Sequence, residues 1–192
     1  ISGKVQNSGQ LCISPDYAFV PEARMEAFLE AARRVFTAQF PTVVLNPDYN
    51  SMINARHYER VLTAIEEART AGARVIELNP TQEDWSDRAT RKIPLHIVID
   101  PPEDCRLMQE EIFGPVLPVV AFKTLDEAIA AVNIRSKPLA LYLFSNSKAN
   151  IEQVLNHTSA GGTCINDTLL HFLHPELPFG GIGNSGIGKG YG

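Results

Sequence analysis

Segments with strand-like and helix-like patterns alternate along this chain of 192 residues, and this alternation constrains its fold most strongly. Residues 16–20 predict a short strand, and apolar side chains at helical spacing between residues 21 and 40 predict the helix that follows it. A second helical stripe covers residues 61–68. Strand-like segments then follow at residues 73–78 and 93–100, separated by a polar loop.

The second half of the chain continues the same alternation. Strand-like segments at residues 115–122, 139–145 and 163–166 alternate with two helical patterns, and the first helix begins at a capping box formed by Thr124 and Glu127. This order favours an α/β fold in which a mostly parallel sheet carries helices on both faces. In such sheets, functional groups collect on loops beyond the carboxyl ends of the strands.

Two residues within the predicted strands carry structural expectations of their own. Pro118 cannot donate a hydrogen bond, so we expect its strand to lie at a sheet edge or to contain a bulge. His96 alternates with apolar residues, which favours a buried, hydrogen-bonded core histidine over a catalytic one.

The composition argues against several classes of partner. The chain carries 17 Lys and Arg against 22 Asp and Glu, a net charge of −5, and no basic stretch, so we expect neither nucleic-acid nor membrane binding. Its apolar runs are far shorter than the roughly 18 residues that suggest a membrane span. Three widely separated cysteines, Cys12, Cys105 and Cys164, argue against a disulfide framework and favour a reducing, cytoplasmic location.

The glycine-rich segment at residues 178–190 contains two apparent nucleotide-binding motifs. Gly181, Gly183 and Gly186 have the spacing of a dinucleotide fingerprint. That motif needs a preceding strand and a following helix, and the six residues after Gly186 are too few for the helix. A phosphate loop would need Ser or Thr after Lys189, where Gly190 stands. We therefore expect tight turns with close backbone approach in this segment.

Two further patterns near the end of the chain are weak. His171 and His174 have the spacing of a metal-binding pair on a helix, but Pro175 follows them and no third ligand lies nearby in sequence. Ser185 lacks the last glycine of a nucleophile elbow. We therefore expect no metal and no serine nucleophile here.

The sequence NSGQLC at residues 7–12 places a cysteine after a polar turn that contains glycine and just before a strand. Backbone N–H groups can converge on a bound oxygen at such a turn, which makes Cys12 a candidate reactive thiol. Most free cysteines are small buried hydrophobes, and that is our interpretation of Cys105 and Cys164. Taken alone, the pattern leaves both interpretations open for Cys12.

Three motifs together resemble the NAD(P)-dependent aldehyde dehydrogenases. They are GQLC at residues 9–12, EEIFGP at residues 110–115 and PFGG at residues 178–181. Their order and spacing agree with that family, and the resemblance extends over essentially the whole chain. Residues 12–17 and 165–171 are most similar to the class 3 branch and, within it, to the coniferyl aldehyde dehydrogenases.

The resemblance implies that Cys12 is the nucleophile of an aldehyde oxidation. A thiolate adds to the carbonyl carbon, a hydride leaves to the nicotinamide of NAD or NADP, and water cleaves the resulting thioester. Backbone N–H groups of the Cys12 turn would supply part of an oxyanion hole. The resemblance also implies that Glu111 binds the nicotinamide ribose hydroxyls and that Phe113 packs near the nicotinamide. Without it, Glu111 would be a solvated surface acid and Phe113 a core anchor.

A substrate pocket is implied by the same resemblance. Phe179 and Leu173 match positions that line the aldehyde tunnel of the family. Together with His171 and Phe172 they would form an apolar mouth suited to an aromatic or long aliphatic aldehyde. Ordinary core and loop packing is the alternative for each of these residues.

Several parts of such an enzyme are expected outside residues 1–192. The resemblance places the general-base glutamate, the asparagine that completes the oxyanion hole and the nucleotide-binding domain upstream of the nucleophile, and a dimerisation arm downstream. We therefore expect a catalytic-domain portion of a homodimeric enzyme, with little activity by itself. Two alternatives stay open: a non-catalytic module or partner subunit, and an acylating enzyme that transfers to coenzyme A or phosphate.

Overall fold

The computed structural model describes residues 1–190, and the chain divides into two compact units, Ile1–Ala121 and Phe122–Gly192. The elements that begin in the first unit are α1 (Ser2–Val5), β1 (Ala18–Pro21), α2 (Met25–Gln39), α3 (Ala55–Thr70), β2 (Arg74–Leu78), β3 (Leu95–Ile99), α4 (Arg106–Gln109) and β4 (Val116–Phe122). Those of the second are α5 (Leu125–Asn133), β5 (Ala140–Leu143), α6 (Lys148–His157), β6 (Gly162–Ile165) and α7 (Leu170–Leu173). Short 3-10 helices cover Gln6–Gly9, Glu22–Arg24 and Gly183–Ser185.

The first unit is built on a four-stranded sheet with the order β1-β4-β3-β2. Strands β3 and β4 are parallel, with His96 opposite Val116, whereas β2 and β3 are antiparallel. The β2–β3 connection contains no helix, and a chain that returns directly through a loop pairs antiparallel. In the second unit β5 and β6 pair in parallel, and α6 connects them. The predicted α/β class with a mostly parallel sheet is confirmed.

Strand β3 runs through the core of the first unit, and all five of its residues are buried. Its alternate side chains enter two hydrophobic clusters, as the pleat of a strand requires. Leu95 and Ile97 pack in the cluster that contains Phe36 of α2. Val98 packs in the cluster that contains Val61 of α3. The sheet therefore carries helices on both faces, as the sequence predicts.

One long helix has a regularly spaced buried face, and the other begins at a side-chain cap. Helix α2 buries Leu29, Ala32 and Phe36, a spacing that keeps one face toward the sheet. Helix α3 begins at Asn54, whose side chain accepts a hydrogen bond from the His57 N–H at 3.0 Å.

The expectation for Pro118 is wrong in one respect, because its strand β4 is an interior strand. Pro118 lies opposite Val98 in the parallel pair. The carbonyl oxygen of Val119 accepts from the Asp100 N–H at 2.8 Å and so faces β3. Since backbone groups alternate along a strand, the missing N–H of Pro118 faces the four-residue strand β1 instead. The hydrogen bonds between β3 and β4 are therefore not interrupted.

His96 is a buried core residue, as expected. It is 1% exposed, and its Nδ1 lies 2.8 Å from the Pro94 carbonyl oxygen. Its Nε2 lies 3.7 Å from a carboxylate oxygen of Glu77, and Trp85 packs edge-on against the ring. Burial lowers the pKa of His96 because an imidazolium loses its hydration there, although the Pro94 carbonyl and Glu77 oppose that effect.

The second unit contains the predicted capping box. The Thr124 hydroxyl accepts from the Glu127 N–H at 3.3 Å, and the Glu127 carboxylate accepts from the Thr124 N–H at the same distance.

None of the helices within residues 1–190 is both long enough and apolar enough to cross a membrane.

Candidate active site

The turn before Cys12 has an unusual backbone that its side chains stabilise. Asn7, Ser8 and Gly9 all have positive φ, at 49°, 53° and 74°. The buried Gln10 side chain donates to the Asn7 carbonyl at 2.9 Å and accepts from the Ile53 N–H at 2.9 Å. Left-handed backbone at non-glycine residues costs free energy and persists only where surrounding contacts hold it. These side-chain hydrogen bonds therefore stabilise the conformation that presents the cysteine.

Cys12 is exposed, whereas Cys105 is buried and Cys164 is intermediate. The turn closes with a hydrogen bond from the Ser14 N–H to the Leu11 carbonyl at 2.9 Å. Among the residues that the structure describes, the Cys12 N–H donates to no protein acceptor. It can therefore bind an oxygen of a molecule that reaches the thiol.

Gly9 contacts the segment that carries Glu111. A Cβ added at Gly9 would lie 2.3 Å from the carbonyl oxygen of Gly114, so no other residue fits without displacing backbone. Gly114 in turn packs against α3, because a Cβ added there would lie 2.7 Å from Cγ2 of Val61. The structure thus brings together two of the motifs that the sequence analysis singled out.

Hydrogen bonds from two sides hold residues 111–113. The Ile112 N–H donates to Oδ1 of Asp16 at 3.0 Å, and Asp16 lies four residues after Cys12. Arg60 of α3 donates to the carbonyl oxygens of Glu111, at 3.4 Å, and of Ile112. Phe113 follows with a φ of 46° and is 36% exposed, and the Glu111 side chain is also exposed. The two candidate cofactor residues are therefore presented on a short segment with a fixed backbone.

Charged groups of both signs surround that segment. Lys4 is only 1% exposed, and its burial lowers its pKa to about 8, against the opposing charges of Asp16 and Glu111. The pKa of Asp16 is raised by desolvation, which Lys4, the Ile112 N–H and Arg60 counteract. The pKa of Glu111 is raised by desolvation and by the nearby Asp16 carboxylate, while Lys4 and Arg60 lower it.

In the second unit the candidate substrate residues form an aromatic cluster. The rings of Phe172 and Phe179 lie with centroids 5.0 Å apart, and His171 lies 6.0 Å from Phe179 and 5.8 Å from Tyr142. Neither ring nitrogen of His171 has a hydrogen-bond partner within residues 1–190. Leu173, at the end of α7, is 67% exposed. Three of the four predicted pocket residues are therefore in one cluster, with Leu173 beside them in sequence.

The glycine-rich segment folds as tight turns, as the sequence predicts. Phe179 and Gly190 exchange two backbone hydrogen bonds of 2.8 Å. A Cβ at Gly180 would lie 2.2 Å from the Gly188 carbonyl oxygen, and one at Gly181 would lie 2.2 Å from the Ser185 carbonyl oxygen. These glycines therefore allow close backbone approach.

Comparison with known proteins assigns the chain to a family. The model of the family described as "Aldehyde dehydrogenase family" matches residues 1–192, and the chain belongs to that family. A relative named "Probable coniferyl aldehyde dehydrogenase" from Caulobacter vibrioides is 47% identical over 192 residues, which are 100% of this chain and 40% of that protein. The "Aldehyde dehydrogenase, dimeric NADP-preferring" of Mus musculus is 39% identical over 99% of this chain and 40% of its own length.

A solved structure has the same fold. The structure titled "Substrate bound state of Staphylococcus Aureus AldH" matches with a TM-score of 0.90 and 37% identity, over 100% of this chain and 40% of that one. The chain therefore spans about two fifths of the length of the relatives that it matches.

Sequence reasoning missed three residues around Glu111: Lys4, Asp16 and Arg60. Lys4 lies between Gly3 and Val5 in a short helix, and one lysine in such a helix carries no specific signal. Asp16 and Arg60 lie 96 and 52 residues from Ile112 in sequence, and only the folded chain brings them to it.

Proposed function

We propose that this chain is the catalytic portion of an NAD(P)-dependent aldehyde dehydrogenase that oxidises an aldehyde to a carboxylic acid through Cys12. The observation that carries the proposal is the contact between the Cys12 turn and the Glu111 segment at Gly9 and Gly114. This contact gives a nucleophile and a cofactor-binding acid a common scaffold, as an oxidation with a bound acceptor requires.

Cys12 would act as the nucleophile. Its exposed sulfur adds as thiolate to the aldehyde carbon, and the carbonyl oxygen becomes an alkoxide. The Cys12 N–H can donate to that oxygen and stabilise its charge. After the aldehyde hydrogen has left with two electrons, the sulfur holds an acyl group as a thioester. Water then breaks the carbon–sulfur bond, which releases the carboxylate and restores the thiol.

The residues around Glu111 fit a nicotinamide dinucleotide. A carboxylate with two acceptor oxygens is suited to a vicinal diol, and the exposed Glu111 side chain on a fixed backbone provides one. Phe113 offers an exposed aromatic face two residues later. Bound NAD(P)+ would supply the two-electron acceptor for the hydride. The presence of NADP in the name of the mouse relative supports this cofactor class.

We propose an aromatic aldehyde of the coniferyl type as substrate. The name of the Caulobacter relative supports this choice, as does the cluster of His171, Phe172 and Phe179. Flat aromatic side chains bind flat aromatic ligands by edge-to-face and stacked contacts. A panel of aldehydes tests the choice: kcat/KM should be highest for cinnamaldehyde-type substrates, and a maximum for short aliphatic aldehydes would contradict it.

We further propose that the general base, most of the NAD(P)-binding surface and a dimer contact belong to other parts of a longer cytoplasmic polypeptide. The two-fifths share of the relatives' length supports this division, and the word "dimeric" in the mouse relative's name supports the dimer. Three free cysteines fit a reducing compartment.

The formation of NAD(P)H tests the proposed function directly. The complete polypeptide that carries this chain should form NAD(P)H and one equivalent of carboxylate from the aldehyde, whereas residues 1–192 alone should form almost none. Coenzyme A or phosphate should not change the product. Formation of an acyl-CoA or acyl phosphate would favour the acylating alternative, and absence of any turnover would favour a non-catalytic module.

A further inference from the structure

The segment that carries Glu111 and Phe113 is held by residues to which the proposed reaction assigns no role. Asp16 accepts from the Ile112 N–H at 3.0 Å. Arg60 donates to the Glu111 carbonyl oxygen, which belongs to the same peptide group as that N–H, and to the Ile112 carbonyl oxygen, which belongs to the next peptide group. The Glu111–Ile112 peptide group is therefore bound through its N–H and its carbonyl by charged side chains from two different parts of the fold.

The position of this peptide matters because the next residue is strained. Phe113 has a φ of 46°, in the left-handed region that non-glycine residues rarely adopt. Such a conformation persists only when its surroundings determine it. Ile112 is buried before it, and Gly114 is fixed after it by Gly9 and Val61. The hydrogen bonds of Asp16 and Arg60 complete the set of contacts that hold this turn.

We propose that Asp16 and Arg60 are positioning residues that keep residues 111–113 in the conformation that binds NAD(P)+. This inference rests on the proposed function, because Glu111 and Phe113 are the groups that would contact the cofactor. Asp16 is four residues from Cys12, so its hydrogen bond to Ile112 also couples the position of the Glu111 segment to that of the nucleophile turn.

The charges of the same group support this role. Desolvation raises the pKa of both the Asp16 and the Glu111 carboxyl, and the Asp16 carboxylate also raises that of Glu111, whereas Lys4 and Arg60 lower both. The two cations therefore favour the charged form of both carboxyls. Removal of Asp16 or Arg60 would change the balance of charge beside Glu111 and would also remove a hydrogen bond that holds the backbone of residues 111–113.

The decisive variant is Arg60→Met in the complete polypeptide, which keeps the aliphatic stem and removes both backbone hydrogen bonds. Its matched control is Arg69→Met, on the same helix α3, where the arginine forms an exposed surface salt bridge with Glu66. We expect Arg60→Met to raise the Kd and KM for NAD(P)+ by about tenfold or more, and Arg69→Met to change them by less than about twofold. In Arg60→Met, kcat at saturating cofactor and the alkylation rate of Cys12 without cofactor should remain within about twofold of wild type.

Asp16 provides a second pair of variants. Asp16→Asn keeps an oxygen that can accept from the Ile112 N–H, whereas Asp16→Ala removes it. The Ala variant should therefore weaken NAD(P)+ binding several-fold more than the Asn variant. Because Asp16 raises the pKa of Glu111, the loss of NAD(P)+ affinity at acid pH should also move to lower pH in Asp16→Asn.

The outcomes separate this inference from the proposed function. A wild-type polypeptide without NAD(P)+-dependent turnover would overturn the proposed function itself. An active wild type with unchanged cofactor affinity in Arg60→Met and Asp16→Ala would overturn only the positioning role. A parallel fall of cofactor affinity, kcat, Cys12 alkylation and melting temperature would also overturn it, since that pattern reports a general loss of structure.

Discussion

The Cα of Gly9 faces the carbonyl oxygen of Gly114 so closely that an added Cβ would lie 2.3 Å from that oxygen. These two glycines stand more than a hundred residues apart in sequence, one beside Cys12 and the other beside Phe113. Their contact fixes the Cys12 turn against the segment proposed to bind the cofactor. The contact also explains why glycine occurs at position 9, where a side chain would separate the two segments, whereas a side chain at Gly114 would meet Val61 of α3.

Gly9→Ala should therefore destabilise the chain strongly. The added methyl group meets backbone atoms that cannot rotate away, and the φ of 74° is unfavourable for alanine. We expect a loss of about 2–4 kcal/mol in the free energy of unfolding. Urea denaturation of the chain measures this difference.

Gly72→Ala is the matched control for Gly9→Ala. Gly72 has a φ of 90°, and nothing lies within 4 Å of an added Cβ. The free energy of unfolding of Gly72→Ala should therefore fall only by the cost of a left-handed backbone at alanine, about 1–2 kcal/mol. Equal losses in the two variants would show that the Gly9–Gly114 contact contributes nothing beyond backbone conformation.

Cys12 should react with iodoacetamide faster than the other two cysteines. It is exposed, whereas Cys164 is intermediate and Cys105 is buried. We expect a rate at Cys12 at least about tenfold above that at Cys105, because alkylation requires access to the sulfur. Peptide mass spectrometry after timed quenching measures all three rates. Equally slow reaction at all three cysteines would favour the non-catalytic module.

The buried ammonium of Lys4 should make stability depend on alkaline pH. Burial lowers the Lys4 pKa to about 8 in the folded chain from 10.5 in the unfolded chain. Between these values the unfolded chain binds the extra proton, so the free energy of unfolding rises with pH. Relative to Lys4→Met, the wild-type chain should gain up to about 3 kcal/mol between pH 8 and 10.5. Urea denaturation of both proteins at several pH values tests this, and a constant difference across the range would contradict it.

The buried His96 should make the free energy of unfolding depend on pH in the acid range. Its pKa is lowered by burial, so below the ordinary histidine pKa of 6.5 the unfolded chain takes up a proton that the folded chain does not. The free energy of unfolding should therefore fall as pH decreases below 6.5. The slope that His96 contributes is at most about 1.4 kcal/mol per pH unit. His96→Gln should show a smaller slope than wild type, and an identical slope in both proteins would rule out this role.

Much of the fold follows from local sequence signals. The periodicity of α2 and α3, the Thr124–Glu127 capping box and the apolar strand β3 all depend on nearby residues. The sheet order does not, since the interior position of β4 depends on which strands meet across the sheet. Pro118 shows the difference: its missing N–H predicts an edge strand or a bulge, but the shortness of the neighbouring strand β1 makes an interior position tolerable.

The candidate site also contains residues that the sequence predicts and residues that it does not. Cys12, Glu111 and Phe113 are predicted from short motifs because GQLC and EEIFGP resemble motifs of the aldehyde dehydrogenases. Asp16 and Arg60, which hold the Glu111 segment, cannot be predicted in this way, because they form hydrogen bonds to the backbone of residues far away in sequence. Such partners are determined by packing of α3 and the Cys12 turn, which no local pattern encodes.

Replacement of the Cys12 sulfur tests the central claim most directly. In the complete polypeptide, Cys12→Ser should lower kcat/KM for aldehyde oxidation by about a thousandfold or more, because a hydroxyl is a far weaker nucleophile at neutral pH. Binding of NAD(P)+ should be unchanged, and Cys164→Ser should retain activity. Carboxylate formation by Cys12→Ser at the wild-type rate would contradict the account.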